Sequence, residues 1–156
     1  MLQAWVFDTV AVLVFPWKEP AEPPERGARV EVRRRTGEPP RGSFSAAQRV
    51  VIDEPLFRAD LFDQVDAPPG NLRSAHFHPH FEGVEPCDRA WPAEIKRNPT
   101  GWLAAELADL PGLVARGGAV IDPAALEGDA VELRDAIPAI VGAVEATWSA
   151  VRAIPV

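Results

Sequence analysis

Seventeen prolines distributed through 156 residues set the tightest limit on how this chain can fold. Each proline fixes its own φ, lacks a backbone donor and pushes the residue before it toward extended geometry. Regular elements must therefore lie mostly between them, and stretches such as PWKEPAEPPERG, TGEPPRGS and DAPPG read as loops and turns. Hydrophobic residues make up 47% of the chain against 25% charged, enough apolar matter for a core, so the prolines punctuate a folded chain. The length suits one domain, residues 1–156, built around one core.

Between those breaks the first half carries strand patterns. Gln3 to Phe15 is rich in Val, Phe and Trp with little helical period, as in a long strand or a bent pair. Residues 16–27 read as a loop of extended character. Ala28 to Arg35 alternates Val30 and Val32 against Arg29, Glu31 and Arg33, the pattern of a half-buried strand. Ala46 to Ile52 and Leu56 to Phe62 flank DEP, which predicts a hairpin because Pro55 cannot donate to a ladder. Asn71 to Phe81 supplies a fifth strand.

After Phe81 the period changes. Asn98 with Pro99 predicts a helix start, and Trp102, Leu103, Leu107, Leu110 and Val114 follow at helical spacing, with Pro111 kinking or ending that helix. Asp122 with Pro123 offers another start, and Asp129 with Glu132 has the spacing of a capping box. Leu133, Ile137, Ile140, Val141, Val144, Trp148 and Val151 then form one apolar stripe, with Pro138 fitting a kinked helix or a helix that begins there. Strands over 1–82 followed by helices over 98–154 predict an α+β fold, an antiparallel curled sheet of about five strands with C-terminal helices packed on it. A small open barrel with a helical tail is the alternative.

The net charge of −7 and a pI near 5.0 oppose attraction to phosphate backbones and anionic membranes, so nucleic acid and membrane partners are not expected. The basic residues Arg29, Arg33, Arg34 and Arg35 read as a solvated strand face balanced by Glu31 and Glu38. Cys87 is the only cysteine, which excludes an internal disulfide and makes the cytoplasm the expected location. The apolar opening lacks the basic flank and cleavage site of a signal peptide and is read as a buried strand. Among the five tryptophans, Trp91 and Trp102 flank the first helix start, where core packing or a subunit interface would use them. A homo-oligomer or a protein partner is compatible with that placement.

All three histidines fall within SAHFHPHFEG, residues 74–83. In an extended segment His76, His78 and His80 share one face and Phe77 and Phe81 the other. Neighbouring histidines on such a face lie roughly 6.6 Å apart, within reach of one ion at about 2.1 Å, whereas the outer pair at roughly 13 Å is not. A divalent metal would thus take two of the three, aided by a bend at Pro79, with Asp60, Asp63 or Glu82 completing the shell and Cys87 as an alternative thiolate. Imidazole with carboxylate suits Zn, Fe, Mn or Ni. An open position on the ion would permit activation of water. The same carboxylates also suit proton transfer through histidine, and neutral imidazoles equally serve as hydrogen-bonded packing groups on a strand face.

GNLRSAHFHPHFE resembles the first metal motif of the cupin family, with Gly70, His76, His78 and Glu82 at the matching positions. The resemblance implies a metal held by His76, His78 and Glu82. Arg89 stands where the motif's trailing glycine falls, and no histidine follows His80 to provide the ligand of the family's second motif, so only a three-ligand version is implied. Arg58 and Asp60 followed by His76, His78 and His80 are similar in layout to TumE-like toxins. Residues 58–110 also look like a family of small proteins from GC-rich bacteria, a composition that Arg 14 against Lys 2 shares; that likeness carries no mechanism.

No phosphate loop, nucleophile elbow, Cys-x-x-Cys pair or zincin motif is present, and Ser74 lies too near His76 on one strand face for a nucleophile and base. The sequence reading is therefore a small soluble protein binding a divalent metal through its His-x-His-x-His strand at His76, His78, His80, Glu82 and Asp60. The competing reading is a non-catalytic interaction module, such as a toxin–antitoxin or immunity component.

Overall fold

The structure, a computed structural model, describes residues 1–20 and 22–153. Five antiparallel strands follow one another across one sheet in chain order: β1 (Gln3–Val6), β2 (Val10–Glu19), β3 (Glu25–Thr36), β4 (Val51–Gln64) and β5 (His76–His78). A two-stranded ribbon, β6 (Phe81–Glu82) and β7 (Glu85–Pro86), then leads to four helices: α1 (Ala93–Arg97), α2 (Pro99–Ala108), α3 (Leu110–Arg116) and α4 (Pro123–Arg152). This is the expected α+β order, with the sheet open and the helices packed on it.

Strand alternation decides which face the helices cover. Val12 of β2, Val30 of β3 and Phe57, Ala59 and Leu61 of β4 are buried in one apolar cluster with Leu103, Leu107, Leu113, Leu133, Ile140 and Val144 from the helices. Burying side chains of this size stabilises by about 1.5–3 kcal/mol each, which ties α2, α3 and α4 to the sheet. Residues of opposite parity point away from the helices, and antiparallel register sets Arg29, Asp60 and His76 side by side across β3, β4 and β5. Glu31, Arg58 and His78 form the next row. Close approach of β3 to β4 is possible at Gly27, where a Cβ would collide with the Leu61 carbonyl.

Several local expectations shift. The loop expected over 16–27 is shorter, because β2 continues through Pro16 and Trp17 to Glu19. β1 pairs only as far as Val14, so Pro16 stands where one side of β2 has no neighbour and its missing N–H costs nothing there. The hairpin expected around Pro55 is one continuous strand, and Ala46 to Val50 lie outside it. Pro55 sits at a register irregularity opposite Arg33, and β5 pairs only with Arg58 to Asp60, so β4 is again unpaired on that side.

The strand expected over 71–81 contracts to His76–His78. Before it, the Asp63 carboxylate accepts from the Gly70 and Leu72 amides at 2.8 and 2.9 Å, and the Asn71 side chain bonds the Gln64 amide and carbonyl. These side chains hold the segment as a turn, with Leu72 at φ 46°.

Helix starts at Asn98 and Asp122 agree with expectation, each side chain accepting an amide of the first turn. The helix expected to kink or end at Pro111 ends at Ala108, and Pro111 sits in the first turn of α3, which Asp109 caps. Asp129, in contrast, caps no helix. It lies inside the continuous α4, which runs through Pro138, and its carboxylate crosses to the β1–β2 turn. There it accepts from the Asp8 amide at 3.0 Å, the Thr9 amide at 2.7 Å and the Thr9 hydroxyl at 2.6 Å.

Asp129 is buried, and its removal takes the acceptor from three part-buried donors at once. Asp129→Ala should lower the unfolding free energy by about 2–3 kcal/mol in urea titrations. A loss below about 0.5 kcal/mol would show that the turn holds without it.

Candidate metal centre

Two rows of polar side chains cross the sheet face that points away from the helices, and their centre is closed to water. Asp60, His76 and His78 are exposed by only 2, 1 and 6%. Asp60 arrives there because β4 is flanked by β3 and β5, and the two histidines because β5, though three residues long, alternates regularly. Asp60 Oδ2 lies 3.3 Å from His76 Nε2 and 3.7 Å from His78 Nε2. One ligand atom from each of the three residues falls within 4.8 Å of the others.

The far nitrogens of the two rings fix the tautomers. His76 Nδ1 is 2.7 Å from the Ser74 carbonyl and His78 Nδ1 is 2.6 Å from the Cys87 carbonyl. A carbonyl only accepts, so both Nδ1 atoms carry a proton and donate it. In the neutral rings both Nε2 lone pairs then face the Asp60 carboxylate. The His76 Nε2 contact is an electrostatic one without hydrogen-bond alignment, and that buried nitrogen has no hydrogen-bond partner among the described residues. Three lone-pair atoms converging on one point repel one another unless a proton or a cation lies between them.

The spacing accommodates a cation. An ion about 2.1 Å from two ligands at tetrahedral or octahedral angles needs them about 3.0–3.4 Å apart. The Asp60–His76 separation of 3.3 Å falls in that span and the Asp60–His78 separation of 3.7 Å lies just above it. Nδ1–H donation to a backbone carbonyl is also the usual support of a metal-bound histidine, because it orients the ring and raises the basicity of Nε2.

Asp60 is held from its other side by Arg29, whose Nε donates to Oδ1 at 2.6 Å and whose second nitrogen reaches Oδ2 at 3.3 Å. Oδ1 is thereby occupied, which leaves Oδ2 as the atom facing the imidazoles. Burial pushes the Asp60 carboxyl up; its polar contacts with His76 and His78 and the Arg29 guanidinium outweigh that and hold the acid well below the usual carboxylate range. In the next row buried Glu31 pairs with Arg33 at 2.7 Å and Arg58 at 2.9 Å.

Of the residues singled out from the sequence, Asp60, His76 and His78 come together and the others stand apart. His80 follows Pro79, beyond the end of β5, and its side chain is exposed, so the common face of three histidines holds for two. Glu82 is exposed on β6 and lies outside the group formed by Asp60, His76 and His78, so the carboxylate in that group is Asp60 and not the Glu82 that the cupin resemblance implies. Asp63 faces the turn at Gly70 and Leu72 and pairs with Arg152 at 2.8 Å. Cys87 contributes its carbonyl to His78, while its thiol contacts the Asp88 carbonyl.

Two participants were missed. Arg29, read as part of a solvated face, is 7% exposed, and Trp17 stacks on its guanidinium at 3.9 Å. Trp91, expected in a core or interface, is half-exposed and lies 4.9 Å from the His76 ring. The parity of Arg29 against Val30 and Val32 was the available signal, since it puts Arg29 on the face opposite the core; Trp91 carried none.

The chain matches no protein-family model, no curated protein and no solved structure. No helix of the described residues is long and apolar enough to cross a membrane.

Asp63 gives this region a measurable pH dependence outside the ligand set. Burial pushes its carboxyl up, but Arg152 and the Gly70 and Leu72 amides outweigh that and hold it lower than usual. A carboxyl depressed in the folded state stabilises above its unfolded pKa of about 3.9, and that stability disappears as pH falls through the folded value. The stability gap between wild type and Asp63→Asn should therefore be full at about pH 6 and shrink steadily below about pH 4 in urea titrations. A gap independent of pH would contradict the ion pair.

Proposed function

We propose that the protein binds one divalent transition-metal ion through Asp60 Oδ2, His76 Nε2 and His78 Nε2. The observation that carries this reading is the orphaned, buried His76 Nε2, aimed with a second imidazole lone pair at a carboxylate that Arg29 already holds in place. A cation between the three atoms converts mutual repulsion into attraction. Two imidazoles and one carboxylate suit Zn, Fe, Mn and Ni, with availability and geometry selecting among them. Arg29 keeps Asp60 a one-oxygen ligand, and the Ser74 and Cys87 carbonyls keep both rings in the ligating tautomer.

Elemental analysis of untagged protein, with a zinc titration of chelator-treated protein, tests the proposal. About one ion per chain is expected, and Asp60→Asn and His78→Gln, which conserve shape, should each weaken zinc binding at least tenfold, roughly the scale seen even for outer-shell changes. Circular dichroism on the same samples shows whether they remain folded. Wild-type protein that takes up no zinc, or variants that bind it as tightly as wild type, would overturn the assignment.

A further inference from the structure

Residues 79–91 form a strap that leaves β5, turns through the β6–β7 ribbon and returns along the outer edge of β5. Not one of these residues is buried, and Val84 at the tip of the ribbon is 76% exposed. Hydrophobic burial, which anchors the helices, therefore does little for the strap. Its attachments are polar and aromatic. Phe77 and Ala90 exchange two backbone hydrogen bonds at 2.9 and 3.0 Å. His78 Nδ1 donates to the Cys87 carbonyl at 2.6 Å, the Trp91 ring lies against His76, and Phe81 stacks under the Arg58 guanidinium at 5.1 Å. The pair Arg89–Glu25, at 3.8 Å, is long.

Two of these attachments end on the two imidazoles of the candidate centre. From that coincidence we infer that the ion acts as a clasp for the strap: metal bound at His76 and His78 fastens residues 79–91 to the sheet, and metal loss releases them. This rests on the metal-binding reading above and assigns a role to that site. The coupling has a short physical path. A cation on Nε2 draws electron density from the imidazole, so Nδ1–H becomes a stronger, charge-assisted donor to the Cys87 carbonyl. It also fixes the His76 ring on which Trp91 rests. With the cation gone, the Nε2 lone pairs are repelled by Asp60, and the ring orientations that receive Cys87 and Trp91 lose their support.

Hydrogen exchange on the full-length wild-type protein, with chelator or with zinc at twice the protein concentration, reads the clasp without any substitution. Peptides covering 79–91, which contain the bonded Cys87 and Ala90 amides, should exchange at least about tenfold more slowly with zinc, while those from β2 and β3 change by less than about twofold. A parallel calorimetric zinc titration separates the two levels of the argument. No zinc uptake overturns the metal assignment and the clasp with it. Zinc bound at one equivalent with unchanged exchange in 79–91, or with slowing spread equally over the whole sheet, overturns the clasp alone and leaves the metal assignment standing.

Discussion

Asp60 has almost no access to water, and most of the sheet's outer face is arranged around that fact. A buried carboxylate is tolerated only when its charge is met, and here Arg29 on β3 meets it from one side while the imidazoles on β5 face it from the other. The arrangement depends on β4 being central between β3 and β5. A slip of one residue in either pairing would turn Asp60, Arg29 or the histidines toward the helices, where the apolar cluster could not satisfy them. Register and electrostatics therefore select the same strand alignment.

The two faces of the sheet are stabilised by different physics. Toward the helices, Phe57, Ala59 and Leu61 are held by burial, with Trp148 of α4 donating to the Leu61 carbonyl at 2.8 Å. Away from the helices, Arg29, Glu31, Asp60, His76 and His78 are held by directed contacts with fixed geometry. Pairs of this kind contribute little net stability but penalise wrong arrangements, because each broken partner leaves a buried charge. The apolar face thus accounts for most of the sheet's cohesion, and β5 is held on both faces, by Phe77 against Phe57 and Trp102 on one and by His76 and His78 beside Asp60 on the other.

Much of the fold was legible in the sequence because periodicity reports burial directly. The alternation of Val30 and Val32 with charged residues, the stripe ending in Trp148 and Val151, and the caps at Asn98 and Asp122 all carry local signals that the structure follows. What was not legible came from contacts distant in sequence. Pro16 and Pro55 were read as chain breaks because a proline's cost depends on whether the neighbouring edge is paired, which is a tertiary fact. Asp129 had the local form of a helix cap while its carboxylate serves a turn 120 residues earlier. Within the candidate site, strand parity brought His76 and His78 together, and Asp60 was among several carboxylates in reach. Strand parity sets Asp63 on the opposite face, toward Arg152 of α4, Glu82 lies on β6, and the β4–β5 register places Asp60 beside His76. His80 departs because pairing stops at His78, where Pro79 cannot donate to a ladder and turns the chain.

The central claim is that three converging lone-pair atoms mark the seat of a cation, and locating the ion tests it most directly. Crystals grown with zinc and measured on both sides of the zinc absorption edge should show one strong anomalous peak about 2.1 Å from Asp60 Oδ2, His76 Nε2 and His78 Nε2. No peak at that point while zinc occupies other residues, with a proton on one Nε2 closing the gap to Asp60, would contradict the account and leave the three side chains as a buried charge network.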